Sequence, residues 1–251
     1  MAAAARSGAL AHDVAPVEVR HLTFEVIDGP DDDQRVRLDA TLFVPSNATP
    51  TTPAPVVVLA HGFGGDKGDL DALARQTAHH GYLALAYSAR GFGRSTGAIG
   101  LDSLDYDVKD VRQMVDALAE VPEVALDAPG DPRIGLSGRS YGGGIALMAA
   151  TQDRRIDAIA PRITWSSLAY SLAPNNLAAR EGNDLAVDLG PGGVLKAQWS
   201  SIFFGLGAVQ PLAGAVAPGG LGSLVDRRSC LGFVPEVCRA YLASVAAGEP
   251  T

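Results

Sequence analysis

The sequence predicts an α/β fold: a mostly parallel sheet with helices on both faces, followed by a mainly helical cap. Three observations carry this expectation. Short, uninterrupted apolar runs such as Val56–Ala60 (VVVLA) read as buried central strands. They alternate with longer segments whose apolar residues recur at helical spacing, as in LDALARQTAHHG (70–81) and LDYDVKDVRQMVDALAEV (104–121). After Ile163 the alternation stops, and no further strand-helix unit can be read.

The elements follow in order. VEVRHLTFEVI (17–27) and VRLDATLFV (36–44) alternate with a rough period of two around the acidic turn DGPDDD, which predicts a strand pair. SNATPTTPAP is a surface loop leading into the VVVLA strand. HGFGGDKGD comes next, then a helix ending on Gly81, a suitable C-cap. YLALAY (82–87) reads as a strand, SARGFGRSTG as a glycine-rich loop, and 104–121 as an amphipathic helix stopped by Pro122. RIGLS (133–137) is the next strand, Gly142–Thr151 the helix after it, and IDAIAPRI (156–163) a further strand. Strands alternating with helices require right-handed crossovers, hence a parallel sheet. Residues 1–163 are expected to form the core and 164–251 the cap.

Composition narrows the function classes. The 251 residues are 47% hydrophobic and 19% charged, a globular balance. A net charge of −8, without a basic stripe, argues against nucleic acid as a partner. Ala197–Val225 carries no charge, but Pro211, Pro218 and Gln210 interrupt it, so an apolar lid is expected there rather than a membrane span. The N-terminal MAAAARSGALAHDVAP lacks the charged and apolar regions of a secretory signal, which makes a cytoplasmic location the default, with secretion left open. Cys230 and Cys238 are too few for a disulfide framework. On one continuous helix they would lie about 12 Å apart. Gly232 and Pro235 interrupt that helix, so a local bridge and two ordinary thiols are both open.

The chemistry centres on Gly138-Arg139-Ser140-Tyr141-Gly142, a G-x-S-x-G motif between a predicted strand and a predicted helix. That context predicts a nucleophile elbow, with Ser140 raised on a sharp strand-to-helix turn and the helix N-terminus beneath it favouring negative charge. Acyl transfer also needs donors aimed at an oxyanion. The backbone N–H of Tyr141 supplies one; the HGFGG loop supplies the other, from Phe63 or, as the alternative, Gly64. His61 sits at a strand-to-loop junction and is expected to brace the loop. ARGFGRSTG lacks the lysine of a P-loop and reads as a turn bordering the site, and Lys67 and Arg139 as surface or rim charges. A serine nucleophile needs a histidine base and a carboxylate to orient it. All five histidines, His12, His21, His61, His79 and His80, precede Ser140, whereas the α/β-hydrolase order is serine, acid, histidine. Asp184, Asp188 and Asp226 follow the serine, but within the expected cap.

HGFGGDKGD, YSARGFGRSTG, GRSYGG and RIDAIAPRITWSSLAYSLAPNN together resemble the X-prolyl dipeptidyl-peptidase and cocaine-esterase group of serine hydrolases, from about Val17 onward. The resemblance implies an α/β-hydrolase fold and cleavage of peptide (X-Pro), ester or amide bonds through an acyl-serine, with no metal or organic cofactor. It implies Ser140 as nucleophile and Tyr141 as an oxyanion donor. Members of the group continue past the cap with strands bearing the acid and the histidine, so the chain is expected to be the N-terminal part of such a hydrolase. A further C-terminal segment or a partner chain would supply the base, and the isolated chain should be nearly inactive. Ser88 stands where many α/β hydrolases carry an acidic residue. The alternative is a non-catalytic remnant or binding protein that keeps the pocket without proton transfer.

Overall fold

The computed structural model of the protein describes residues 16–172, 196, 198–201, 203–205, 207 and 232–247. Strands β1 (Val17–Asp28), β2 (Gln34–Pro45), β3 (Val56–Ala60), β4 (Leu83–Tyr87), β7 (Ile134–Arg139) and β8 (Ile156–Arg162) form a six-stranded sheet in the order β1-β2-β4-β3-β7-β8. β1 and β2 pair as a long antiparallel hairpin, from Val17 opposite Pro45 to Asp28 opposite Gln34. β2 meets β4 antiparallel, and β4, β3, β7 and β8 then run parallel. This is the mostly parallel sheet of an α/β hydrolase.

Helices α1 (Asp71–His79), α2 (Asp107–Ala119) and α3 (Tyr141–Gln152) cover the sheet on both faces. Ala74 and Ala78 of α1 pack with Phe43, Leu59, Ala84 and Ala86 on one face. Val111, Met114, Val115 and Leu118 of α2 and Ile145, Ala146 and Ala149 of α3 pack with Leu42, Val58, Leu85 and Leu136 on the other. β4 is buried at every position because both of its faces are covered, which is why its sequence is an unbroken apolar run. Gly81, at φ +89°, closes the α1 end by donating to Ala78 O at 2.9 Å, as its left-handed backbone allows.

The boundaries shift where local backbone chemistry overrides periodicity. A 3-10 turn, Lys67–Leu70, precedes α1; Asp66 caps it, accepting from Gly68 N at 2.7 Å while its own N–H donates to the Asp69 carboxylate. α2 starts three residues later than its apolar pattern: residues 104–106 form a turn, and Tyr106, at φ −124° and ψ −85°, is the non-helical N-cap. A small hairpin, β5 (Leu126–Ala128) and β6 (Asp131–Pro132), was not expected: it is too short and polar to leave a period. β8 pairs only with β7 among the described residues, and most of its residues are exposed.

After β8, helix α4 (Leu168–Leu172) and helix α5 (Pro235–Ala247) are described, and the described residues from 198 to 207 are helical. This region is tied to the core at Ile99, whose N–H donates to Gly232 O at 2.7 Å and whose carbonyl accepts from Val234 N at 3.0 Å. The Tyr106 hydroxyl donates to Glu236 at 3.0 Å. Asp184, Asp188, Asp226 and Cys230 lie outside the described residues, as does most of the uncharged stretch. Cys238 is disulfide-bonded, which resolves the choice between bridge and thiol for that residue. Among the described residues no helix is long and apolar enough to cross a membrane.

Candidate active site

The elbow lies where β7 runs into α3. Ser140 has φ +56° and ψ −116°, a conformation that L side chains rarely adopt. Three backbone bonds hold it there. Its N–H donates to Arg162 O of β8 at 2.8 Å, and its carbonyl accepts from Gly143 and Gly144 N at 2.9 and 3.0 Å. The flanking glycines are steric requirements. A Cβ on Gly138 would overlap the Gly142 carbonyl, and one on Gly142 would overlap Ala60 O and meet His61 O at 2.7 Å. A Cβ on Gly143 would meet Thr164 at 2.9 Å, and one on Gly144 would overlap the Asp102 carboxyl and lie 3.2 Å from Trp165. Each glycine of the run therefore lets α3 touch a different neighbour.

Loop 61–65 packs against this turn: a Cβ on Gly62 would lie 3.6 Å from Arg139 O and 4.0 Å from the Ser140 Cβ. Among the described residues the Phe63 and Tyr141 amides have no hydrogen-bond acceptor, so both expected oxyanion donors are unspent. Gly64 takes φ +85° in the turn behind them. Lys67 fixes the far end of the loop. Its N–H donates to Ser88 Oγ at 3.1 Å, and its ammonium group holds Asp39 at 2.7 Å and Ala40 O at 3.0 Å. Lys67 is thus an internal clamp and not a rim charge; only 19% of its side chain is exposed. Ser88, 1% exposed, is the clamp's acceptor. Arg139 is exposed, as expected.

His61 is committed to structure. The Ala89 amide can only donate, so Nε2, 2.9 Å away, must accept; the proton is then on Nδ1, donated to Gly62 O at 2.8 Å. Burial lowers its pKa, opposed by the Gly62 carbonyl and by Asp66 and Asp69, which favours this neutral form. His21 bonds Thr41, and His80 bonds Gln76 O. None of the four described histidines bonds Ser140; His12 lies outside the described residues.

An aromatic cluster encloses the elbow. Phe63 stands edge-on to Phe92 and Tyr141 at centroid distances of 5.2 and 5.5 Å, and Phe203 stacks on it at 3.9 Å. Phe204 stacks in turn on Tyr241 of α5 at 3.8 Å. Both residues expected to donate to an oxyanion are therefore walled by apolar rings, which exclude water and strengthen any hydrogen bond made there. Phe92 comes from ARGFGRSTG, which borders the site as expected. On the α1 side of the elbow a cleft of about 550 Å³ opens, lined by His61, Phe63, Leu70, Leu73, Arg139 and Arg162.

Beneath the elbow lies a buried polar group that sequence reasoning missed. The Tyr141 hydroxyl donates to Asp107 at 3.0 Å. Arg90, with no exposed side-chain surface, pairs with Asp28 at 2.9 Å and stacks on the Tyr106 ring. Burial pushes the carboxyls of Asp102, Asp107 and Asp110 upward; Asp107 adds to the effect at Asp102, and Arg90 opposes it at the other two. The only sequence signal was an arginine inside a glycine-rich loop and aspartates inside an otherwise apolar helix pattern, which read equally well as surface charges. Among the described residues no group of three His, Cys, Asp or Glu side chains is placed to hold a metal.

Comparison with known proteins agrees with this fold. The crystal structure of a hypothetical protein from Pseudomonas aeruginosa superimposes with a TM-score of 0.51 at 22% identity, covering 87% of this chain and 65% of that one. Among curated proteins, the quorum-quenching protein AidA of Acinetobacter baumannii is 28% identical over 221 residues, 87% of this chain and 64% of its own length. The monoacylglycerol lipase of Mycolicibacterium smegmatis is 41% identical over 98 residues, 39% of this chain and 32% of its own. The chain thus spans less than two thirds of the length of either relative. The model of the X-Pro dipeptidyl-peptidase (S15) family matches residues 28–199. With most of its length matched, and with the parallel sheet and the strained serine turn in place, the chain belongs to the X-Pro dipeptidyl-peptidase (S15) family.

Proposed function

We propose that the protein is a serine hydrolase of peptide (X-Pro type), ester or amide bonds, with residues 1–163 as catalytic core and 164–251 as cap. The carrying observation is the backbone of Ser140, held at φ +56° and ψ −116° by three hydrogen bonds and two obligatory glycines. A fold keeps such strain where it presents a side chain for chemistry. Ser140 Oγ attacks the substrate carbonyl carbon, and its proton passes to a base. The carbonyl oxygen becomes an oxyanion held by the Tyr141 and Phe63 amides. Collapse expels the amine or alcohol, which takes that proton, and water then hydrolyses the acyl-Ser140 ester by the same steps.

No described histidine hydrogen-bonds Ser140, so in this reading the base comes from further sequence or a partner chain. The cleft beside Phe63 and Arg139 is an open approach for it. The aromatic walls favour an apolar acyl group. A disulfide at Cys238 persists in oxidising compartments, which favours secretion over the cytoplasmic default.

A second reading is a binding protein that retains the pocket without turnover, favoured by the absence of a hydrogen bond between Ser140 and any described histidine. Labelling the native protein with a fluorophosphonate, which traps activated serines, separates the two. Peptide mapping should place the adduct on Ser140, with none on Ser140→Ala. An unlabelled Ser140 in native protein would favour the binding reading. For the 251-residue chain alone, loss of a triad member costs on the order of a millionfold in turnover, so p-nitrophenyl ester hydrolysis should be near background. Ser140-dependent turnover at a full triad's rate would mean that the base lies within the chain.

A further inference from the structure

Under the first turn of α3 lies a cavity of about 10 Å³, walled by Arg90, Asp102, Asp107, Asp110, Tyr141 and the backbone near Gly142. Its polar lining is out of balance. Arg90 Nη2 donates to Asp28 at 3.0 Å, but among the described residues Nε and Nη1 have no hydrogen-bond acceptor. Among the described residues both carboxyl oxygens of Asp102, a residue 4% exposed, also lack a partner, as does Asp110 Oδ1. Arg90 Nε lies 3.8 Å from Asp110 Oδ2, too far for a direct hydrogen bond, which leaves the pair to be linked through a third group. Donors and acceptors buried together in this way are destabilising if left unpaired.

We propose that this cavity is the binding site of one water molecule, which accepts from the Arg90 guanidinium group and donates to the carboxyl groups of Asp102 and Asp110. The volume fits, because a single water needs on the order of 10–15 Å³ and two to four polar partners. The chemistry fits water better than a metal ion, because no three acidic, histidine or cysteine groups among the described residues converge to ligate one. Burial, reinforced by Asp107, keeps Asp102 protonated to higher pH, so this carboxyl can donate to the water as well as accept from it. The site bears on the elbow. Asp102 approaches α3 at Gly144, and its backbone also bonds the Tyr141 hydroxyl, so the water links Arg90 to the residue whose amide faces the oxyanion position.

A high-resolution crystal structure of the 251-residue chain tests this directly. One peak should stand about 2.7–3.2 Å from an Arg90 nitrogen and from an oxygen of Asp102 or Asp110. Direct Arg90–Asp102 bonding with no peak would overturn the proposal. So would a peak with six or more oxygens at about 2.3–2.6 Å, the signature of a bound calcium-like cation. In solution, a long-lived water should give a nuclear Overhauser effect to the Asp102 amide or the Arg90 Nε–H; its absence at both protons would count equally against the site.

Discussion

Replacing Ser140 by glycine should stabilise the protein while removing its proposed nucleophile. The residue sits at φ +56° and ψ −116°, outside the left-handed helical region that non-glycine residues occasionally visit. A non-glycine residue held in such a region costs on the order of 1–3 kcal/mol. Glycine removes that strain but loses about 0.5–1 kcal/mol through the greater freedom of the unfolded chain. The net gain is about 1 kcal/mol, equivalent to a rise of roughly 2–4 °C in Tm for a domain of this size. Ser140→Ala is the control, because it deletes the hydroxyl and leaves the Cβ strain in place. Urea denaturation of both variants, with midpoints compared at constant slope, measures the difference. A glycine variant less stable than the alanine variant by about 0.5–1 kcal/mol, the cost of glycine alone, would show that the turn stores no strain, and the reading of the elbow from its dihedral angles would fail.

Two further outcomes follow from the same neighbourhood. His61→Leu leaves the partly buried Ala89 N–H without its acceptor, so it should cost about 0.5–1.5 kcal/mol in urea denaturation; a loss below about 0.5 kcal/mol would mean that His61 does not brace the loop. The buried Asp102 carboxyl has a pKa raised by burial and by Asp107, so the native state keeps this proton to higher pH than the unfolded chain does. Its contribution is therefore fully present below the unfolded carboxylate pKa and is lost as pH rises through the raised native value. Asp153, lowered by its hydrogen bonds to Arg155, works in the opposite sense, stabilising above the unfolded pKa and losing that contribution as pH falls. Asp102→Asn should flatten the decline of stability from acid toward neutral pH, and a decline as steep as that of the parent would refute the assignment.

The opening hairpin, the central strands and the three sheet-covering helices were legible because a covered sheet imposes apolar runs and an amphipathic helix imposes its period. The elbow was legible for a different reason: G-x-S-x-G between strand and helix is a steric signature, and Gly138 and Gly142 each meet a carbonyl where a Cβ would stand. Less was visible wherever a side chain's role depends on what comes near it from far along the chain. Lys67, a surface charge by composition, is clamped by Asp39 from β2 and Ser88 after β4. The β5–β6 hairpin is too short to carry a period, and the late start of α2 follows from the non-helical backbone of Tyr106, which no pattern announces.

By itself, the sequence determined the strand-helix alternation, the serine at a sharp turn and the absence of any histidine after it, since these depend on residue order and local sterics. Only the tertiary structure decided that His61 is spent on Ala89 and Gly62, that Phe203 closes over Phe63, and that Arg90 meets Asp28 from the end of β1 inside the core. Apart from the His61–Gly62 bond, those contacts join residues from about 30 to 140 positions apart, brought together by burial of the sheet; the Ala89 amide then sets the tautomer of the imidazole, and burial raises the pKa of the carboxyls beneath the elbow.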